Sequence, residues 1–157
     1  MLNKEIKIFI TDVDGVLTDG KIYYSDSGER MRRYDMRDGV FFWLKKQGIL
    51  TCFCSGESDN SIKNRAEKLN IDFLIMGSKD KLKDISDLLK KENLSFSEAA
   101  YVGDDLGDVS IMEKVGLSFA VKNAAKEVKK KADYVTKSEG GNGVIREIFE
   151  KYFNNDI

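Results

Sequence analysis

Five short apolar runs, at residues 6–11, 49–54, 73–76, 99–102 and 117–121, alternate along this chain with stretches of helical periodicity. That alternation predicts an α/β fold with a parallel sheet covered by helices, because parallel neighbours need a crossover and a helix is the compact way to make one. Helices are expected over residues 39–46, 59–69, 81–91, 109–115, 124–131 and 144–153. In the third of these, Leu82, Ile85, Leu88 and Leu89 recur at helical spacing. A sixth, shorter strand is expected at 134–136. With 157 residues and no shift in composition, one domain is expected over residues 1–157.

The exception to the alternation lies between Lys21 and Asp35. Ile22-Tyr23-Tyr24, the turn residues Ser25-Asp26-Ser27-Gly28, and the run from Met31 to Tyr34 read as a β-hairpin, a flap over about residues 20–35. It follows the first strand directly, so it would hang over whatever that strand's end carries. Its aromatic residues exceed what a lone surface hairpin should display.

The 26 basic and 27 acidic side chains nearly cancel, to a formal net charge of -1, which favours no nucleic-acid partner. The N-terminus shows no signal-peptide pattern and no apolar run is long enough to span a bilayer, so a soluble, cytoplasmic protein without membrane contact is expected. Histidine is absent, which removes Ser-His and Cys-His catalysis and histidine metal ligands. Chemistry here must use carboxylates, lysine, hydroxyls and a hard metal. Proline is absent too, so turns rely on Gly, Asn, Asp and Ser. Cys52 and Cys54, spaced C-x-C in an apolar stretch, fit one face of a buried strand better than a redox or zinc pair. Lys129-Lys130-Lys131 is flanked by Glu127 and Asp133 and reads as a solvated helix end.

Chemistry is concentrated where strands end. Asp12-Val13-Asp14-Gly15 closes the first apolar run, and alternation along an extended chain points Asp12 and Asp14 the same way while Val13 turns inward. A calcium loop of the D-x-D-x-D-G kind would need an oxygen ligand at Val16 and a Glu where Tyr23 stands. Ligands of a parallel sheet bind beyond the carboxyl ends of its strands. There the chain carries Asp12 and Asp14, then Ser55-Gly56, then Lys81 leading into the third helix, then Gly103-Asp104-Asp105. Each has an ordinary explanation as a turn, a cap or a solvated side chain. Together they supply what phosphoryl transfer needs: a nucleophile, a proton donor, a cation, hydrogen-bond donors, and clustered carboxylates for Mg²⁺.

Thr11-Asp12-Val13-Asp14-Gly15-Val16-Leu17-Thr18-Asp19-Gly20, Arg37-Asp38-Gly39, Tyr101-Val102-Gly103-Asp104-Asp105 and Gly140-Gly141-Asn142-Gly143, with Ser55 and Lys81 between them, resemble the haloacid dehalogenase superfamily of aspartate-nucleophile phosphatases. They look most like its capless branch, the 3-deoxy-D-manno-octulosonate 8-phosphate phosphatases and related sialic-acid-pathway phosphatases. The resemblance implies a Rossmann-like sheet without a cap domain. It implies that Asp12 is the nucleophile and a Mg²⁺ ligand, that Asp14 is the general acid and base and binds the metal through its carbonyl, and that Asp104 completes the ligands. Ser55, Gly56 and Lys81 would bind the phosphoryl group, and Arg37, Asp38 and Gly39 would line the pocket. A homotetramer is also implied, with the hairpin packed against its neighbours.

Two positions depart from the octulosonate enzymes, which usually carry Arg where Glu57 stands and a small residue where Lys68 stands. Both match the branch acting on nine-carbon 2-keto-3-deoxy acids. The leading expectation is therefore a nonulosonic acid 9-phosphate as substrate, with octulosonate 8-phosphate as the alternative. If a helix begins near Ser58, Glu57, Ser61, Arg65 and Lys68 share one stripe, with Glu57 at the phosphate end and Arg65 and Lys68 serving a substrate carboxylate in a neighbouring subunit's site. Two rivals belong to other classes. A phospho-receiver domain carries its lysine late, whereas Lys81 precedes Asp104 here. A catalytically silent sugar-phosphate-binding subunit would not need the intact set of Asp12, Asp14, Lys81 and Asp104.

Overall fold

A computed structural model describes residues 5–154. In chain order the strands are β1 (Ile8–Thr11), β2 (Tyr23–Tyr24), β3 (Arg30–Met31), β4 (Leu50–Cys54), β5 (Phe73–Ile75), β6 (Ala99–Gly103), β7 (Leu117–Ala120) and β8 (Tyr134–Val135). The helices are α1 (Phe41–Lys46), α2 (Asn60–Lys68), α3 (Lys81–Lys91), α4 (Val109–Met112), α5 (Lys126–Lys131) and α6 (Val144–Tyr152). Six strands form one sheet in the order β5-β4-β1-β6-β7-β8, every pairing parallel, and β2 and β3 form a separate antiparallel ribbon. This is the expected α/β sheet with the hairpin inserted after its first strand.

The strand order explains where a site can form. From β1 the chain moves outward through β4 to β5, then returns to β6 on the other side of β1 and continues to β7 and β8. The order reverses at β1, and the loops leaving the carboxyl ends of its two neighbours diverge around a crevice there. β1, β6 and β7 are buried at every position, so both of their faces are covered, as their largely apolar sequences require. Phe9 of β1 packs edge-on against Phe41 of α1 and against Phe153 beyond α6, at 6.1 and 5.8 Å between ring centroids. Truncating such a ring to alanine costs about 3 to 5 kcal/mol.

Helix boundaries follow local chemistry. Asp59 caps α2 by accepting from the Ile62 amide, and Asp80 caps α3 by accepting from the Lys83 amide. Ile62 and Ala66 on α2, and Ile85 and Leu89 on α3, are the buried positions. The first expected helix divides: residues 36–40 form a 3-10 turn capped by Asp35, and only then does α1 begin. Helices α4 and α5 are shorter than their periodicity suggests, starting or stopping within the expected spans. Cys52 and Cys54 are buried and unpaired. Lys130 and Lys131 are taken up by Glu127 and Glu113 at the surface. No helix among the described residues is long and apolar enough to cross a membrane.

Candidate active site

The carboxyl ends of β1, β4 and β6 and the start of α3 open on one cavity of about 450 Å³, lined by Asp12, Asp14, Ser55, Gly56, Glu57, Lys81, Asp104 and Asp108 among others. Lys81 is the first residue of α3, so its position is fixed by the cap at Asp80. Its Nζ lies 3.0 Å from Asp12 Oδ2 and 3.0 Å from Asp108 Oδ1. Burial works against the ammonium charge, but the two carboxylates outweigh it and hold Lys81 protonated. Ser55 is buried, and its Oγ accepts from the Glu57 amide at 3.0 Å, which fixes the turn that carries Gly56.

Asp12 is nearly covered, and its Oδ1 accepts from the Val13 amide at 2.6 Å. Burial, reinforced by the charge of Asp108 and opposed by Lys81, raises its pKa to about 6. Asp104 is raised to about 8, first by burial and then by the neighbouring Asp12. One oxygen each of Asp12, Asp104 and Asp108 lie within 4.8 Å of one another. Asp104 Oδ1 is buried and has no hydrogen-bond partner among the described residues. A covered, orphaned carboxylate oxygen beside a second carboxylate of raised pKa is a deficit of positive charge, and a hard divalent cation with oxygen ligands fits it.

Asp108 sits in the same cluster but is already saturated. Its Oδ1 accepts from Lys81 Nζ and from the buried Tyr101 hydroxyl at 2.5 Å, and its Oδ2 accepts from the amides of Asp104 and Asp105 at 3.0 and 3.2 Å. Four donors leave it a scaffold that folds the loop after β6 and steers Lys81. Sequence reasoning did not single it out. Its signal was the spacing: four residues after Asp104, one 3-10 turn brings it back beneath the loop. Gly15 is fixed by the same cluster, since a Cβ there would stand 1.9 Å from Asp104 Oδ2 and its φ is +84°. The Gly140 segment presses on this loop from the other side, where a Cβ would meet Gly15 O at 1.9 Å.

Asp14 takes a different partner. Arg32, arriving from the end of β3, donates to Asp14 Oδ1 from Nε at 2.7 Å and to Oδ2 from Nη2 at 3.2 Å, while its Nη1 reaches Asp59 Oδ2 at 2.5 Å. Sequence reasoning missed Arg32 altogether. Arginines at 30 and 32, alternating with Met31 on a strand beside an acidic loop, were the available signal.

Of the residues expected to bind substrate, Asp14, Ser55, Gly56, Glu57 and Lys81 line the cavity, while Arg37, Asp38, Gly39, Arg65 and Lys68 stand apart from its lining in this single chain. Arg37 is engaged by Asp35, the cap of its own 3-10 turn. Asp38 is buried, its pKa pushed up to about 7 by burial against the opposing pull of Arg65. Arg65 donates to the Asp35 carbonyl at 2.7 Å and lies over the Tyr34 ring, and Ser61 meets the Tyr34 hydroxyl. The expected stripe is therefore broken: α2 starts after its cap at Asp59, which leaves Glu57 in the preceding loop and paired with Arg30 at 2.7 Å, and Ser61 and Arg65 anchor the base of the hairpin. Lys68 is exposed.

Residues 75–148 match the haloacid dehalogenase-like hydrolase family. The chain is 40% identical to the 3-deoxy-D-manno-octulosonate 8-phosphate phosphatase KdsC of Escherichia coli K12 over 146 residues, covering 92% of this chain and 78% of that protein. The same enzyme of Yersinia pestis is 38% identical over 144 residues, 91% and 77% of the two chains. Among solved structures, the octulosonate 8-phosphate phosphatase of Moraxella catarrhalis, in complex with magnesium, phosphate and KDO, superposes with a TM-score of 0.91 at 37% identity over 94% of this chain and 86% of that one. The cobalt-bound enzyme of Haemophilus influenzae gives 0.88 at 35% identity, with the same coverage.

Proposed function

The chain belongs to the haloacid dehalogenase-like hydrolases, in the capless branch of the octulosonate 8-phosphate phosphatases, and we propose that it hydrolyses 3-deoxy-D-manno-octulosonate 8-phosphate to the free sugar acid and inorganic phosphate. The observation that carries this reading is the cavity at the carboxyl ends of β1, β4 and β6, in which Asp12 pairs with Lys81 and clusters with Asp104. In it, an Asp12 carboxylate oxygen attacks phosphorus in line with the ester oxygen, giving an aspartyl phosphate as the P–O ester bond breaks. Asp14 gives its proton to the departing sugar oxygen, then takes one from the water that cleaves the aspartyl phosphate and restores Asp12. Lys81, the Ser55 hydroxyl and the Gly56 turn hold the phosphoryl oxygens. Asp12 and Asp104, with the Asp14 carbonyl, would hold Mg²⁺, whose charge would offset the repulsion between an anionic nucleophile and an anionic phosphate.

A nine-carbon acid 9-phosphate is the second reading, favoured by Glu57 at the cavity rim, where it draws in Arg30. The sequence alone ranked it first on Glu57 and Lys68. A 40% identity spread over 92% of the chain weighs more than two positions, so the eight-carbon acid takes precedence. Phosphate release from octulosonate 8-phosphate and from the hydroxyl and acetamido nonulosonate 9-phosphates, with Mg²⁺, is the test. The eight-carbon ester should lead in kcat/KM by at least about tenfold, or about 1.4 kcal/mol. The reverse order would return the nine-carbon reading to first place.

The same reading makes the protein a homotetramer. Tyr23, Tyr24 and Met31 on the hairpin are 50%, 67% and 54% exposed, an apolar surface suited to burial against neighbouring copies.

A further inference from the structure

We propose that Arg32 is the positioning residue for Asp14, a covered clamp through which the hairpin sets the orientation of the general acid and base. This rests on the role given to Asp14 above. The Arg32 side chain has no exposed surface and is absent from the lining of the cavity that holds Asp12, and it spans two carboxylates: a two-pronged contact to both oxygens of Asp14 and a single contact to Asp59. Asp14 is otherwise a partly exposed side chain beside an open cavity, free to change rotamer. A planar fork engaging both carboxylate oxygens fixes the plane of the group as well as its position. Asp14 stays 28% exposed and lines the cavity, so it remains open to substrate and water.

The clamp is anchored at its far end. Asp59 is the cap of α2, held by the Ile62 amide, and its Oδ2 also lies 3.7 Å from Arg30 Nη1. Arg30 and Arg32 project from the same side of the strand, while Met31 between them is exposed on the other. Two arginines on one side of the hairpin thus converge on one acidic cap, and the second continues to the site. A covered guanidinium gives up its hydration, and the two carboxylates compensate only while all three groups keep this geometry. A displaced hairpin would therefore displace Asp14, and misplacing a reacting group by about 1 Å can cost about a hundredfold in rate.

The test uses Arg32→Met, Arg32→Lys, Asp59→Asn, Asp14→Asn and the double variant Arg32→Met with Asp14→Asn. Rates are measured on aryl phosphates of graded leaving-group pKa and on octulosonate 8-phosphate. Arg32→Met should lower kcat/KM, which reports the step that forms the aspartyl phosphate, at least about tenfold on phenyl phosphate and less than about threefold on p-nitrophenyl phosphate, since in that step only the poor leaving group needs the proton. Asp59→Asn, which keeps a capping oxygen, and Arg32→Lys should show the same bias in smaller degree. The double variant should be no slower than Asp14→Asn, because Arg32 acts through Asp14. Equal losses along the aryl series, or a double variant slower by the full Arg32→Met factor, would overturn the proposal. If Arg32→Met fails to fold, Arg32→Lys and Asp59→Asn decide, and parallel losses in both overturn it. A wild type active on the aryl series but inert on octulosonate 8-phosphate overturns the substrate reading alone. Inertness on every ester overturns both.

Discussion

Lys81 Nζ rests 3.0 Å from Asp12 Oδ2, so the cation that would receive the phosphoryl oxygens is paired with the group that would attack them. The pairing holds a largely buried carboxylate at the end of β1, and in the same cluster Asp104 carries a buried oxygen with no hydrogen-bond partner among the described residues. Charge balance at this site is incomplete without a further cation, and the first consequences to check follow from that.

Asp12→Asn should abolish phosphate release and leave the fold unchanged, because an amide cannot form the acyl phosphate. Circular dichroism and a Tm near that of the wild type would establish the fold. More than a few per cent of residual turnover would remove Asp12 from the nucleophile's role.

Stability of the metal-free protein should fall as pH rises. Asp12, Asp38 and Asp104 have folded-state pKa values of about 6, 7 and 8 against an ordinary 3.8, so the folded chain binds more protons than the unfolded one in this window. Stability is then full below about pH 4 for these groups and is lost up to about pH 8. Mg²⁺ binds the ionised cluster, so its effect has the opposite trend. Saturating Mg²⁺ should raise Tm by about 3 °C or more at pH 8 and by little at pH 5. An equal rise at both pH values in a thermal scan would contradict the assignment of the metal to these carboxylates.

Asp108 should prove indispensable although it contacts no substrate oxygen in this reading. Asp108→Asn replaces an acceptor with a donor among four donors, and unsatisfied buried groups of this kind cost about 1 to 3 kcal/mol each. Denaturant melts should register that loss, and kcat should fall at least about a hundredfold as Lys81 loses its guide. Tyr101→Phe removes one donor only and should cost about 1 kcal/mol with a smaller drop in kcat.

Light scattering should report a tetramer, and Tyr24→Glu together with Met31→Glu on the exposed side of the hairpin should dissociate it. Activity is expected to fall with dissociation. A monomeric variant as active as the wild type at high dilution would show that neighbours do not complete the site.

How the chain divides between local and distant information can be seen residue by residue. The sheet, its helices and the strand-end positions of Asp12, Ser55 and Asp104 were legible because each depends on local chemistry: apolar runs, caps such as Asp59 and Asp80, and motif spacing within a few residues. The nine-carbon preference read at Glu57 and Lys68 was less secure, since an exposed lysine and a loop glutamate carry little structural constraint of their own. By itself the sequence determined the α/β architecture, the hairpin and the placement of carboxylates at the strand ends, because hydrophobic period and motif spacing are properties of short segments. Only the tertiary structure decided that Arg32 joins Asp14 to Asp59, that Glu57 turns to Arg30, and that Asp108 is consumed by Lys81, Tyr101 and two amides. A charged side chain chooses its partner by distance after folding, often from residues nearly thirty positions away, and no local pattern encodes that choice.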